Sequence, residues 1–174
     1  IGLTPEEVKW LSKNSVVKVA ADPTAAPMEL IGESGEISGI AGEYLAAISK
    51  KLNIRFEWVG NKNWEDAVEM VKNGQADMHS VIVRTPERQE YLDFTIPIMS
   101  IASVIFSRTD GDKFPNMDSL RGRRIALVSK SAIYDFIKQD YPNIEIVGVS
   151  SIDEALRLVS VGSVDAYIGG ISSA

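Results

Sequence analysis

Thr85-Pro-Glu-Arg88 is the stretch whose residue types and spacing come nearest to chemistry. Thr85 can cap a short helix, with Pro86 at its first position and Arg88 in its first turn. A cation there opposes the helix dipole, so an anion must offset it. That anion is either a ligand or a neighbouring Asp or Glu in an ion pair, and the residues alone leave both open. Enzyme chemistry has less to stand on. The single histidine, His79, stands in a chain without cysteine and reads as a structural histidine. No GxSxG elbow, HExxH pair, Walker A loop or GxGxxG loop is present. The absence of cysteine excludes thiolate nucleophiles, disulfides and cysteine-based metal sites. Asp and Glu mostly fall in helix first turns or on solvated faces. Asp22 is the exception, because it ends a strand, whereas Asp77 begins one and, like Asp165, is expected to shape the turn after a glycine.

These residues must be positioned by a duplicated scaffold. The run from Trp64 to Asp77 is answered by Ile152 to Asp165, so that Ala67, Val71, Gly74 and Asp77 fall on Ala155, Val159, Gly162 and Asp165. Both copies read as an amphipathic helix, a glycine stop and a strand, with Asn63 and Ser151 as N-caps. Upstream, strands at 53–59 and 143–149 each follow a helix, and each helix follows a strand, at 16–22 and 124–129. The order β-α-β-α-β therefore occurs twice. Each copy is long enough to bury its own core, which predicts two α/β lobes with ligands beyond the carboxyl ends of parallel strands, in a cleft between the lobes. Residues 1–107 are assigned to lobe 1 with a first crossing strand at 101–107, and residues 108–174 to lobe 2. Thr4, Pro5 and Glu7 open a short helix with a capping box, and 31–37 reads as a hairpin.

Composition narrows the function further. The chain has 174 residues, 45% of them hydrophobic and 24% charged, with a net charge of −6. An acidic chain argues against nucleic acid or an anionic membrane surface as partner. No apolar run approaches the length needed to span a bilayer, so any membrane attachment is expected through segments outside this chain. The start at Ile1, without Met, suggests a processed or excised segment.

Thr85-Pro-Glu-Arg88, followed by Tyr91-Leu-Asp-Phe-Thr-Ile-Pro97 and preceded by Gly74-Gln-Ala-Asp77, resembles the signature of the bacterial extracellular solute-binding proteins of family 3. The opening from Leu3 to Leu11 resembles the lead-in of such domains in membrane-bound sensor histidine kinases. The resemblance implies a two-lobed α/β fold of the type II periplasmic-binding, or Venus-flytrap, class with a central cleft, ending here before the usual C-terminal return to lobe 1. It implies a small-molecule-binding module with no catalytic residue, metal or cofactor, periplasmic or otherwise extracytoplasmic, and anchored to the inner membrane in the full-length protein. The sensor region of a signalling receptor is the first reading. A soluble binding protein of an ABC importer, a cyclohexadienyl dehydratase-like enzyme and the binding domain of a lytic transglycosylase are the alternatives.

By position, Arg88 inherits the family's carboxylate clamp, for which a guanidinium fork is suited. Thr85, Lys130 and Ser131 are the supporting donors, the last two at a helix N-terminus receptive to anions. Asp22 and Met28 form the first lobe's wall. Val83 stands where amino-acid binders carry a hydroxyl, and Gly170 where they carry an acid for the ligand's ammonium. Those two departures favour a carboxylate over an α-amino acid. An exposed strand edge and apolar helix surface on lobe 1 are further expected, covered by a homodimer partner or by more of a longer polypeptide, with lobe 2 the better packed.

Overall fold

Local signals begin the fold. Thr4 accepts from the Glu7 N–H while the Glu7 carboxylate accepts from the Thr4 N–H, closing the expected capping box ahead of α1 (Pro5–Lys13). The structure, a computed structural model, describes residues 2–171. The outer bounds of the expected lobes, Ile1 and Ala174, lie outside the described residues. Two compact units part between Ile82 and Val83.

The first unit continues with β1 (Val16–Ala20), a short antiparallel hairpin of β2 (Leu30–Ile31) and β3 (Ile37–Ser38), α2 (Gly39–Leu52), β4 (Arg55–Trp58), α3 (Trp64–Lys72) and β5 (Met78–His79). Its sheet has the order β4-β1-β5, all parallel, with Val16 opposite Arg55 and Val19 opposite Met78. Val19, Ala20, Ala41, Leu45, Ala67, Val68 and Val71 are buried between sheet and helices. Their spacing of three and four on α2 and α3 is the helical period the sequence displays.

The second unit holds a one-turn 3₁₀ helix at Arg88–Glu90, β6 (Ser103–Ser107), a 3₁₀ turn at Met117–Leu120, β7 (Arg124–Val128), α4 (Ala132–Asp140), β8 (Glu145–Val149), α5 (Ile152–Ser160) and β9 (Ala166–Gly170). The sheet order is β6-β9-β7-β8, with β8, β7 and β9 parallel and β6 antiparallel to β9. On β7, Ile125 and Leu127 join one core cluster with Ile137 of α4, and Ala126 joins another with Ala155 and Val159 of α5. A strand covered on both faces needs an unbroken apolar run, and Ile125-Ala-Leu-Val128 supplies it. Each fully buried aliphatic side chain of this kind contributes roughly 1.5–3 kcal/mol.

The repeat survives in three dimensions: β4-β1-β5 corresponds to β8-β7-β9. Gly74 and Gly162 take φ of 70° and 71°, the left-handed values a glycine stop requires. Asp77 and Asp165 do more than shape the turn. The Asp77 carboxylate accepts from the Lys18 N–H at 2.7 Å, and Asp165 accepts from the Arg124 N–H at 2.9 Å. Each aspartate thus latches the start of its own strand to the backbone of the neighbouring one.

One boundary differs from the expectation. Residues 83–107, assigned from sequence to lobe 1, pack with the second unit. The reason is β6, which pairs with β9 from Ser103 opposite Gly170 to Ser107 opposite Ala166. A crossing strand belongs to whichever sheet completes its hydrogen bonds.

Candidate functional site

In the second unit, four of the sequence candidates meet in one hydrogen-bonded knot. Thr85 accepts from the Arg88 N–H at 3.3 Å and starts the 3₁₀ turn, as its capping role predicts. The Arg88 guanidinium donates through Nη1 to the Val83 carbonyl and through Nη2 to the Lys130 carbonyl, both at 2.8 Å. Lys130 therefore enters through its backbone, in a left-handed conformation with φ of 58°. Ser131 follows as the N-cap of α4, its hydroxyl accepting from the Tyr134 N–H. Gly170 ends β9, at the same carboxyl edge of the sheet from which the Lys130 loop leaves β7.

Arg88 is only 5% exposed. Burial pulls its pKa down, while Tyr91, Asp135 and Glu87 support the charged form. Asp135 on α4 responds in kind. Its carboxyl is pushed up, first by burial and then by Glu87, with Arg88 acting against the shift. The dipole problem posed by Arg88 is thus met within the chain by carbonyl oxygens and nearby carboxylates, and the guanidinium plane is held in a fixed orientation.

In the first unit, the carboxyl edge of the sheet is organised by the loop between β1 and β2. Asp22 is buried and turns its carboxylate into that loop, accepting from the Thr24 N–H at 2.9 Å and the Thr24 hydroxyl at 2.8 Å. Met28 is half-buried, with its carbonyl accepting from Ala41 at the start of α2. Asn61 is fully enclosed. Its amide donates to the Ala21 and Asn63 carbonyls and its oxygen accepts from the Trp58 indole. His79 packs against Trp64 with Nδ1 3.2 Å from the Ala20 carbonyl, as a structural histidine would.

Glu29 is the residue that sequence reasoning missed. It is 3% exposed, accepts from the Asp22 N–H at 2.9 Å and hydrogen-bonds the Ser80 hydroxyl beyond β5. Burial pushes its carboxyl up to about 7, with the Asp22 charge adding to the shift and the Ser80 and Asp22 hydrogen bonds opposing it. Nothing in Met28-Glu29-Leu30 distinguishes this glutamate from a solvated one. Among the described residues, no group of three or more His, Cys, Asp or Glu could hold a metal ion. Among the described residues, no helix is long and apolar enough to cross a membrane.

Comparison with known proteins agrees with this architecture. The chain is 30% identical over 162 residues to the virulence sensor protein BvgS of Bordetella pertussis, covering 93% of this chain but 13% of that protein. It is 20% identical over 166 residues to the sensor protein EvgS of Escherichia coli K12, covering 95% of this chain and 14% of that one. The crystal structure of the Bordetella pertussis BvgS periplasmic VFT2 domain superposes with a TM-score of 0.84 at 28% identity, over 98% of this chain and 72% of that chain. The fold is the Venus-flytrap fold. The family model of the bacterial extracellular solute-binding proteins, family 3, matches residues 17–157, and with the duplicated α/β units and the Thr85 to Arg88 knot already described, the chain belongs to that family.

Proposed function

We propose that this chain is the extracytoplasmic ligand-sensing module of a membrane signalling receptor, binding a small anion of the carboxylate class and catalysing nothing itself. The observation that carries the reading is the likeness to the BvgS VFT2 domain across nearly the whole chain, at a TM-score of 0.84. Support from a second relative, EvgS, also a sensor protein, points the same way. Arg88 supplies the positive charge, held in place by two carbonyls. Thr85, Lys130 and Ser131 surround it, and the α4 N-terminus adds favourable potential for an anion. Asp22 and Met28, in the loop at the carboxyl edge of the first unit's own sheet, are the residues of that unit proposed to face ligand. Val83 and Gly170 offer neither hydroxyl nor carboxylate for an ammonium group, whose burial without a counter-charge is costly.

A ligand drives such a module only through its greater affinity for one conformation over another. Titration calorimetry with a panel of monocarboxylates, dicarboxylates and α-amino acids tests the ligand class. Binding of a carboxylate that weakens at least about tenfold in Arg88→Lys is the expected result, since lysine cannot reproduce the fork. Tight binding of an α-amino acid, or affinity indifferent to Arg88, would overturn it. The receptor reading is tested separately by the parent gene, which should encode a transmembrane helix followed by a signalling output domain.

A further inference from the structure

The loop from Asp22 to Glu29 is closed by a carboxylate that the proposed ligand chemistry does not use. Glu29 Oε2 accepts from the N–H of Asp22, at the other end of the same loop, and Oε1 bonds the hydroxyl of Ser80, just past β5. One buried side chain therefore joins both ends of the loop to the carboxyl edge of the sheet. The loop's other anchors are backbone bonds: Ile40 N–H to the Pro27 carbonyl and Ala41 N–H to the Met28 carbonyl. We propose that Glu29 is a positioning residue whose protonation state sets how firmly the Asp22–Met28 loop is held, making the first unit's contribution to binding dependent on pH.

Hydrogen-bond chemistry gives the mechanism. When Glu29 is ionised, both oxygens accept, one from the Asp22 N–H and one from the Ser80 O–H. Protonation on Oε1 reverses the second bond, so that the carboxylic acid donates to Ser80 Oγ and the Ser80 proton turns to another acceptor. The Asp22 bond survives both forms. What changes is charge: the ionised form keeps an anion out of water and beside the Asp22 carboxylate, whereas the neutral form does neither.

The surroundings supply little to offset that anion. Asp22 is the charged group that acts on it, and it raises the pKa. Ser80 is neutral. The first turn of α2 contains no acidic residue, and its sequence from Gly39 to Gly42 has no basic one. Glu33 and Glu36 of the hairpin are exposed, with Glu36 bonded to Ser34. His79 ends β5 directly before Ser80 and carries an imidazole, so variants rather than pH alone must assign the effect.

With the carboxyl near 7 in the folded loop and at the ordinary 4.5 once the loop opens, the sign follows. The closed loop binds the proton more tightly, so it is firmest in mild acid and loosens as pH rises through 7. The consequence for ligand binding rests on the proposed function; the loop's behaviour does not, and it can be measured with no ligand present.

Hydrogen exchange of backbone amides in residues 22–29, corrected for intrinsic rates, is the direct readout. Between pH 6 and pH 8, wild-type protection should fall about tenfold, one decade per unit of differential proton affinity. Glu29→Gln reproduces the neutral form, with an acceptor for Asp22 and a donor for Ser80, and should hold protection level across that range while His79 is intact. Ser80→Ala removes a bond that favours the anion, so it should move the wild-type transition to higher pH. A wild-type loop whose protection ignores pH overturns the proposal. So does a Glu29→Gln profile that matches wild type, or a transition unmoved in Ser80→Ala.

Discussion

A buried guanidinium that spends two donors on backbone carbonyls is a structural element as well as a charge. Arg88 ties the loop at Val83 to the Lys130 loop, so its loss should be felt in stability before any ligand is considered. Arg88→Ala is expected to cost about 2–4 kcal/mol in urea unfolding of the second unit, with two carbonyls losing charged donors. Arg88→Lys should recover part of that, since an ammonium reaches one acceptor more easily than two separated ones. An unfolding midpoint unchanged in both variants would show that the knot is ornamental. Stability should also fall as pH rises from 4.5 through 7, because Glu29 in the first unit binds its proton more tightly when folded, an effect of about 3 kcal/mol for one such group. Asp135 shifts in the same direction, so in the second unit it too favours the folded state more when protonated. Of these residues, Arg88 and Thr85 were legible because a cap and a cation in its first turn are local features. Their partners were not: Lys130, expected as a donor, enters as a carbonyl acceptor 42 positions from Arg88, and Ser80, the hydroxyl donor to Glu29, lies 51 positions from it, and a backbone carbonyl or a buried glutamate leaves no local sequence mark.

Elements were easier to read than their partners. Helix caps at Thr4, Asn63 and Ser151 and the glycine stops at Gly74 and Gly162 follow from short-range hydrogen bonding and from φ, so each stood in the sequence. Asp77 and Asp165 were visible as a repeat but not as latches, since their targets, the Lys18 and Arg124 amides, belong to strands met much earlier in the chain. The symmetry yields a paired prediction. Asp77→Ala and Asp165→Ala should each destabilise their own unit by about 1–2 kcal/mol, the range for a charge-assisted bond that is partly exposed. Asp165→Ala should be the more costly, because Asp165 also pairs with Arg123 at 3.6 Å. Denaturant titration with a probe in each unit, Trp58 or Trp64 in the first and an engineered tryptophan at Tyr141 in the second, checks this. If either variant leaves its unit's midpoint in place, the equivalence of the two latches is lost.

At the scale of the whole molecule, the two sheets share one topology but not one degree of completion. In the second unit β9 lies between β7 and β6 and pairs with β6 along its full length, while in the first unit β5 holds two residues and, among the described residues, pairs with β1 alone. The apolar side chains Ile40, Tyr44 and Ile48, one helical turn apart on α2, are also exposed. Local opening is governed by how many buried contacts and ladder bonds must break together, so the units should differ in exchange behaviour. The slowest amides are expected in β7 and β9, with β5 exchanging well before them. The decisive element is β6. Sequence order suggested that it ends the first lobe, whereas its pairing with β9 places it in the second unit's cooperative core. Under native conditions with low denaturant, β6 amides should therefore open with β9 and β7, following the same dependence on denaturant. Should β6 instead open with β1 and β4 while β9 stays closed, the assignment of residues 83–107 to the second unit would be wrong, and the Arg88 knot with it would have to be read as part of the first.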